Sequence, residues 1–131
     1  MTAPGGEAIV VVAAVIEREG RILITRRPEG AHLAGLWEFP GGKPELGETE
    51  RGALIREVRE ELGVAFSPGE RLAEVDWQYP DKRVHITFFR GAITGEPWPL
   101  EGQELAWVTP AELDRYEFPP ADAALLARLR R

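Results

Sequence analysis

The sequence predicts a mixed α/β fold in which helices cover both faces of a central sheet. Valine- and isoleucine-rich segments begin the chain, a segment with helical periodicity follows a glycine-rich loop, and further extended segments precede a leucine-rich C-terminus. This order suits a three-layer α/β/α arrangement with a mixed central sheet. We expect residues 1–131 to form a single domain, because domains typically contain about 100–200 residues.

The N-terminal part of the chain supplies two strands followed by loops. Ala8–Glu17 is too uniformly apolar for a solvent-washed sheet face, and Arg21–Arg27 follows it after a short turn, so the two segments are predicted to pair. Pro28–Gly35 is predicted to be a loop and Leu36–Phe39 a short extended piece. Pro40–Pro44 carries two prolines and two glycines, which predicts no regular structure there.

One helix is predicted at the centre of the chain, over Glu50–Leu62. Thr49 is a suitable N-cap, and Gly63 is placed to end the helix. The apolar residues inside this range repeat with helical periodicity: Ala53, Leu54, Val58 and Leu62.

The C-terminal half supplies three more strands and two short helices. Phe66–Gly69 is predicted to be a turn, and Tyr79–Lys82 a second turn between two strands. The three strands are predicted over Arg71–Gln78, Arg83–Ile93 and Glu104–Val108. The helices are predicted over Pro110–Leu113, capped by Thr109, and from Pro119-Pro120 onward, carrying Leu125, Leu126 and Leu129.

Composition excludes several classes of function. The absence of cysteine excludes disulfides, thiolate metal sites and a cysteine nucleophile, and it fits a cytoplasmic setting. Ser67 is the only serine and precedes Pro68, while His32 and His85 stand alone, which argues against serine hydrolases and zinc proteases. A formal net charge of −6 argues against broad nucleic-acid binding. The longest apolar run, Ala8–Ile16, is far shorter than the roughly 20 residues of a membrane span, and the first residues lack a basic leader segment.

Three carboxylates can converge on one region of the predicted helix. Glu57 and Glu61 lie nearly on one line along it, and Glu60 lies one residue to the side. The adjacent glycine-rich loop, Phe39–Lys43, can bring a backbone carbonyl near the same point, and such hard oxygen ligands suit Mg²⁺ or Mn²⁺. The alternative is a solvated acidic face neutralised by Arg56 and Arg59.

The spacing of this loop and helix resembles the Nudix box. Gly42 is followed after five residues by Glu48, and after seven more by the run Arg56-Glu57-Val58-Arg59-Glu60-Glu61-Leu62-Gly63-Val64. Outside the box, the chain resembles the MutT branch of Nudix hydrolases in several segments: Thr25-Arg26-Arg27, Glu38–Lys43, Gly95–Trp98, Glu101-Gly102-Gln103 and Phe118–Ala121.

The resemblance implies a Nudix α/β/α sandwich and hydrolysis of a nucleoside triphosphate to a monophosphate and pyrophosphate. The substrate we expect first is 8-oxo-dGTP, and we expect the protein to be a monomer or a small homo-oligomer. Two alternatives stay open: a cytidine-type triphosphate pyrophosphohydrolase and a catalytically silent nucleotide-binding module. A silent module would be expected to lack one of the helix carboxylates, and none is missing.

The resemblance also implies roles for individual residues. Divalent metal would be held by the Gly41 carbonyl and by four carboxylates, Glu57, Glu60, Glu61 and Glu101. Glu57 is our first choice as the general base, and Glu101 is the second because a loop residue can move when substrate binds. Arg56 is expected to brace Glu48 or Glu57 rather than to touch substrate.

Four more residues are assigned to substrate binding. Arg27 is expected to contact phosphates, Lys43 to contact phosphate or lie exposed in its loop, and Phe39 to line the base pocket or pack in the core. Asp122 stands where the MutT pattern has an asparagine that reads the base. An ionised carboxylate suits the two donors of guanine, whereas cytosine would require a protonated Asp122 or another orientation. Alternatively, Asp122 only favours the start of a helix through the helix dipole.

Overall fold

A computed structural model of the protein describes residues 8–28 and 35–130. His32 and most of its predicted loop lie outside those ranges. The elements run in the order β1 (Ile9–Arg18), β2 (Arg21–Arg26), β3 (Trp37–Glu38), β4 (Gly41–Gly42), α1 (Glu50–Leu62), β5 (Ala65–Gln78), β6 (Arg83–Thr94), β7 (Glu104–Val108) and α2 (Ala123–Leu129). Two 3₁₀ helices, Pro110–Arg115 and Pro120–Asp122, precede α2. None of the helices in these ranges has both the length and the apolar character needed to cross a membrane.

The central sheet is mixed, as predicted. β1 runs parallel to β6 over Ile9–Ile16, and β6 pairs antiparallel with β5. β2 pairs antiparallel with β7 over Ile22–Arg26. Seven strands therefore form one sheet whose centre is β1.

β1 and β2 form a hairpin whose two strands separate beyond the residues next to the turn, and we call this opening the fork. The two strands pair only next to their turn, where Glu17 lies opposite Ile22 and Arg18 opposite Arg21. Farther along, β2 pairs with β3 and β1 pairs with β4. The short segment from Trp37 to Gly42 therefore fills the opening of the fork, bonded to one strand at each end.

The prediction that Pro40–Pro44 has no regular structure was wrong at Gly41 and Gly42. These two residues lie opposite Ala13 and Val12 as the antiparallel strand β4. A side chain on Gly41 would collide with the backbone of Val12, so only glycine allows this approach. The pairing depends on a strand almost thirty residues earlier in the chain, which local turn chemistry does not reveal.

Helices cover both faces of the sheet, as predicted. α1 covers one face, where its residues Leu54, Val58 and Leu62 pack with residues of the strands: Val12, Ala14, Ile16, Leu23 and Phe89. The other face is covered by the C-terminal helices, whose contacts include Ala13, Val15, Ile24, Phe39, Phe88, Leu113, Ala121, Leu125 and Leu129. These two packed layers fix α1 and the start of α2 on opposite sides of β1.

β5 and the two helical segments that follow β7 differ from the predictions. β5 begins at Ala65 and not at Arg71, because the predicted turn at Phe66–Gly69 instead pairs with β6 through register shifts on either side of Arg71. The segment after Thr109 is a 3₁₀ helix that extends to Arg115. The last helix likewise begins as a 3₁₀ turn at Pro120 before α2 starts at Ala123.

Candidate active site

Two carboxylates of α1 lie directly against the short strand β4. The helix has its predicted ends, because the Thr49 hydroxyl accepts a hydrogen bond from the Gly52 N–H and Gly63 adopts a left-handed conformation. A β-carbon on Gly42 would lie 2.5 Å from the carboxyl carbon of Glu57. The Gly41 N–H donates to Glu61 Oε2 at 3.2 Å. Gly42 thus leaves the space that the Glu57 carboxylate occupies, and Gly41 holds the Glu61 carboxylate through its backbone N–H.

The loop before β7 brings a third carboxylate to the same place. The backbone N–H of Leu100 donates to the Glu61 carbonyl at 3.1 Å, so the loop satisfies the C-terminal end of α1. Gln103 is buried and makes two further bonds: its amide N–H donates to the Glu61 carbonyl at 3.0 Å, and its amide oxygen accepts from the Glu101 N–H at 2.9 Å. Gln103 therefore fixes the position of Glu101 relative to α1.

Glu57, Glu61 and Glu101 line one cavity of about 360 Å³, which we call the carboxylate cavity. Its remaining lining comes from the end of β2, from β3, from β4 and from the loop before β7: Thr25, Arg27, Pro28, Glu38, Gly41 and Gln103. Of the other predicted site residues, Glu60 and Lys43 do not line it. The Glu60 side chain is 54% exposed and pairs with Arg56, and Lys43 is exposed.

The carboxylate cavity concentrates negative charge. Burial, together with the nearby carboxylates of Glu101, Glu57 and Glu38, raises the pKa of Glu61 to about 9, although a hydrogen bond from Gly41 opposes the shift. Burial also raises the pKa of Glu57, although Arg56 opposes that shift. The protein alone offers too little positive charge to keep all these groups ionised at neutral pH.

The donors of this cavity fit a hard divalent cation. Carboxylate and carbonyl oxygens are the ligands that Mg²⁺ and Mn²⁺ prefer, and a cation would offset the repulsion among Glu57, Glu61 and Glu101. In the part of the chain that the structure describes, no three acidic, histidine or cysteine side chains are already gathered in metal-binding geometry. The carboxylates would therefore need to turn inward to ligate one ion.

Arg56 ties the loop before α1 to the helix. Its guanidinium makes two parallel bonds to Glu48, at 2.8 and 2.9 Å, and these hold the pKa of Glu48 at about 2. The same group donates to Glu57 at 2.9 Å, to Glu60 at 3.2 Å and to the Lys43 carbonyl at 3.1 Å. Arg56 thus braces both residues that the sequence suggested, Glu48 and Glu57.

A second cavity, of about 230 Å³, lies beside the first and is mainly apolar. We call it the apolar cavity. Phe39 lines it and is also part of the core, since its ring stacks on Phe118 at 5.3 Å and meets Phe88 edge to face. Both roles considered for Phe39 are therefore compatible with its position.

Arg27 and Glu38 form the wall shared by the two cavities. Arg27 Nε donates to Glu38 Oε2 at 2.8 Å. Burial raises the pKa of Glu38 even though Arg27 lowers it. Sequence reasoning did not select Glu38 or Gln103 as site residues, although both lie within segments that carry the MutT resemblance.

Asp122 lies in the apolar cavity at the start of α2. It is 6% exposed, and its carboxyl group makes no side-chain hydrogen bond with any other described residue, including the first turn of α2. Burial raises its pKa to about 7, with a smaller contribution from the Glu38 carboxylate. The assumption of a fully ionised Asp122 therefore does not hold near neutral pH.

Replacing Gln103 by alanine is expected to lower the free energy of unfolding by about 1–3 kcal/mol. The change removes two hydrogen bonds: the Glu101 N–H loses its partner, and the Glu61 carbonyl keeps only the bond from the Leu100 N–H. Urea denaturation measures the effect. Gln78→Ala is the matched control, because Gln78 also donates to backbone carbonyls but is exposed, so its loss should cost clearly less. Equal losses in both variants would contradict a special role for Gln103.

Comparison with known proteins identifies the family. The NUDIX domain model matches residues 11–128. The chain is 42% identical to the CTP pyrophosphohydrolase of Escherichia coli K12, over 90% of this chain and 88% of that protein. It is 37% identical to the 8-oxo-dGTP diphosphatase of the same organism, over 93% of this chain and 95% of that protein. The crystal structure of a MutT NUDIX hydrolase from Burkholderia pseudomallei superposes with a TM-score of 0.84 at 30% identity, covering 94% of this chain and 98% of that one. With the loop and helix of the box in place beside the two cavities, the chain belongs to the Nudix hydrolase family.

Proposed function

We propose that this Nudix hydrolase cleaves a nucleoside triphosphate to a nucleoside monophosphate and pyrophosphate. The observation that carries the proposal is the pair of adjoining cavities, one apolar and one lined by carboxylates, with Arg27 and Glu38 in the wall between them. A flat, largely apolar base suits the first cavity. A chain of phosphates, held through a divalent cation, suits the second.

Nudix hydrolases generally act with a divalent metal, and here we assign it to the carboxylate cavity as Mg²⁺ or Mn²⁺. Glu57, Glu61, Glu101 and the Gly41 carbonyl would hold it; Glu60 would join them after releasing Arg56. When bound, such a cation neutralises phosphate charge and activates water. A protein of net charge −6 needs that help to hold a triphosphate.

The chain's own residues then supply positioning and proton transfer. Glu57 accepts the proton of the attacking water, because its raised pKa brings it closer to neutral pH and Arg56 holds one of its oxygens in place. Glu101 is the second candidate. Arg27 contacts the phosphates from the shared wall, where the bond from its Nε to Glu38 restricts the guanidinium.

The substrate we propose first is 8-oxo-dGTP, which would make the protein a cytoplasmic enzyme that clears oxidised nucleotides from the pool used for DNA synthesis. Relatives named for 8-oxo-dGTP support it. A cytidine triphosphate is the second candidate. It is supported by the relative named for CTP and by the raised pKa of Asp122, since a protonated carboxyl suits cytosine.

The products test the reaction. Incubation with 8-oxo-dGTP and Mg²⁺ is expected to give 8-oxo-dGMP and pyrophosphate, because the resemblance to the MutT branch places the attack of water within the phosphate chain. Ion-exchange separation of the nucleotides, with a direct pyrophosphate assay that omits pyrophosphatase, measures both products. A nucleoside diphosphate and inorganic phosphate as primary products would contradict the mechanism. Binding without turnover on every triphosphate tested would instead indicate a silent module.

A further inference from the structure

We propose that three side chains, Glu74, Asp76 and His85, form a pH-sensitive link between the edge strand β5 and its neighbour β6. The link is complete when the His85 ring carries a proton on both nitrogens, and it weakens when the ring loses one of them. We call these three residues the histidine cluster. None of them lines either cavity, so the proposal is independent of the hydrolytic function.

The geometry of the histidine cluster suits a ring that is protonated on both nitrogens. His85 lies directly opposite Asp76 in the β5–β6 ladder. Its Nδ1 lies 2.9 Å from Asp76 Oδ1, and its Nε2 lies 3.4 Å from Glu74 Oε1. A neutral imidazole has one N–H, so its other nitrogen would turn a lone pair toward a carboxylate oxygen. The imidazolium offers an N–H to each carboxylate, and therefore only the charged ring suits both neighbours.

Asp76 is the principal partner of His85. Within the described residues Asp76 pairs with no other cation, whereas Glu74 also lies 3.8 Å from Arg71. Arg71 in turn makes a shorter contact of 2.8 Å with Glu50 of α1. Loss of a proton from His85 therefore removes the only charge that balances Asp76 among these residues, while Glu74 keeps a share of Arg71.

The other neighbours of His85 do not compete for these carboxylates. From β1, the residue opposite His85 is Val10, which carries no charge. On β6 itself, Arg83 lies two residues earlier on the same face, and it forms no ion pair with a described residue. The hydrogen bond with Asp76 is the largest influence that raises the pKa of His85 above its ordinary value; Glu74 adds to the rise, and burial opposes it.

The histidine cluster lies near the part of the hairpin that forms the rim of the apolar cavity. β5 is the outermost strand of the sheet and pairs with β6. Two ladder pairs separate the cluster from the turn between β5 and β6, and that turn contributes Tyr79, Asp81 and Lys82 to the lining of the apolar cavity. The carboxylate side chains of the cluster are largely exposed, so packing alone holds this end of β5 weakly. A weaker link therefore lets the end of the hairpin open locally.

The effect of pH on stability has a defined sign. In the unfolded chain histidine titrates at about pH 6.5, and in the folded protein His85 holds its proton to higher pH. The link therefore contributes fully below the unfolded value, and its contribution is lost as the pH rises through the pKa of His85 in the folded protein. Glu61 adds a pH dependence of the same sign, which is common to all variants of the cluster and cancels from differences between them.

The first test follows the two histidine rings of the chain by NMR between about pH 5 and pH 9. The resonance that remains in His32→Gln belongs to His85, and its pKa should lie above the ordinary value. In Asp76→Asn the pKa of His85 should fall back toward that value, because the principal partner has lost its charge. In Glu74→Gln it should fall less.

The second test compares the melting temperatures of the unmodified protein and His85→Gln at about pH 5.5 and about pH 9, without divalent cations. At the lower pH the unmodified protein should melt about 1–4 °C above the variant, the scale of exposed ion pairs in a small domain. At the higher pH the difference should shrink. Hydrogen exchange on the same samples should place the change at the end of the β5–β6 hairpin.

The matched control is Asp114→Asn, whose exposed carboxylate pairs with Arg130 away from the cluster and which should leave the titration of His85 unchanged. A His85 ring that titrates at or below its ordinary value, or that does not respond to Asp76→Asn, would overturn the proposal. So would a melting difference that is the same at both pH values. If His85→Gln fails to fold, the titration of Asp76→Asn decides alone. Neither measurement uses a nucleotide, so a failure here does not affect the proposed hydrolase function, and a failure of hydrolysis does not affect this proposal.

Discussion

Replacing Glu61 by glutamine is expected to lower kcat at least about 10²-fold, the scale seen when a key electrostatic stabiliser is removed. Glu61 is the most buried carboxylate of the carboxylate cavity, and it accepts the Gly41 N–H. Glutamine keeps the shape and an acceptor oxygen but removes the charge that would face the metal. Steady-state kinetics with saturating Mg²⁺ and 8-oxo-dGTP measure the loss.

The same variant, although less active, should be more stable than the unmodified protein. The pKa of Glu61 is about 9 in the folded protein, well above its ordinary value. The free energy of unfolding therefore falls as the pH rises from that ordinary value to about 9. At pH 7 without metal, Glu61→Gln is therefore expected to melt at a higher temperature than the unmodified protein. A variant that is less active and also less stable would indicate damage to the fold instead.

Two further variants of α1 sharpen the assignment of Glu61. Glu60→Gln should cost only about tenfold, because the Glu60 side chain is half exposed and paired with Arg56 outside the cavity. Glu50→Gln is the control, since Glu50 pairs with Arg71 in the first turn of the same helix and should leave kcat unchanged. Full turnover in Glu61→Gln would overturn the assignment of the metal site.

Removal of divalent cations is expected to abolish hydrolysis. Glu57, Glu61 and Glu101 face the same cavity as the phosphates in our proposal, and the repulsion between them leaves no other way to hold a triphosphate there. Turnover should fall to background in excess EDTA and return when Mg²⁺ or Mn²⁺ is added beyond the chelator. Undiminished turnover in EDTA would contradict the proposed chemistry of the carboxylate cavity.

Local signals predicted the helix of the site fully and the neighbouring strand not at all. Thr49, the apolar repeat and Gly63 each act within a few residues, and α1 has the predicted ends. The strand at Gly41 and Gly42 exists only because β1 offers a free edge where the fork opens. β5 likewise extends back to Ala65 because pairing with β6 overrides the local preference of Pro68 and Gly69 for a turn.

In the candidate site, too, local sequence predicted some features, while others depend on contacts between distant segments. Spacing along one helix predicted that Glu57 and Glu61 share a face, and the structure places both in one cavity. The positions of Glu38 and Gln103 depend on how distant segments meet, which spacing does not encode. The protonation of Asp122 was also beyond the sequence, because burial by the neighbouring elements raises its pKa to about 7.

The segment from Trp37 to Gly42, which lies between β1 and β2, fixes the distance between the two cavities. Phe39 lines the apolar cavity and Gly41 the carboxylate cavity, and the two peptide units between them span at most about 7 Å. Because β3 and β4 are bonded to different strands, this span cannot slide or lengthen on its own. A purine reaches farther from its ribose than a pyrimidine does, so the two nucleotides cannot engage both ends of a fixed span identically. We expect the phosphates of the smaller nucleotide to be less well aligned, and its kcat, more than its KM, to carry the penalty.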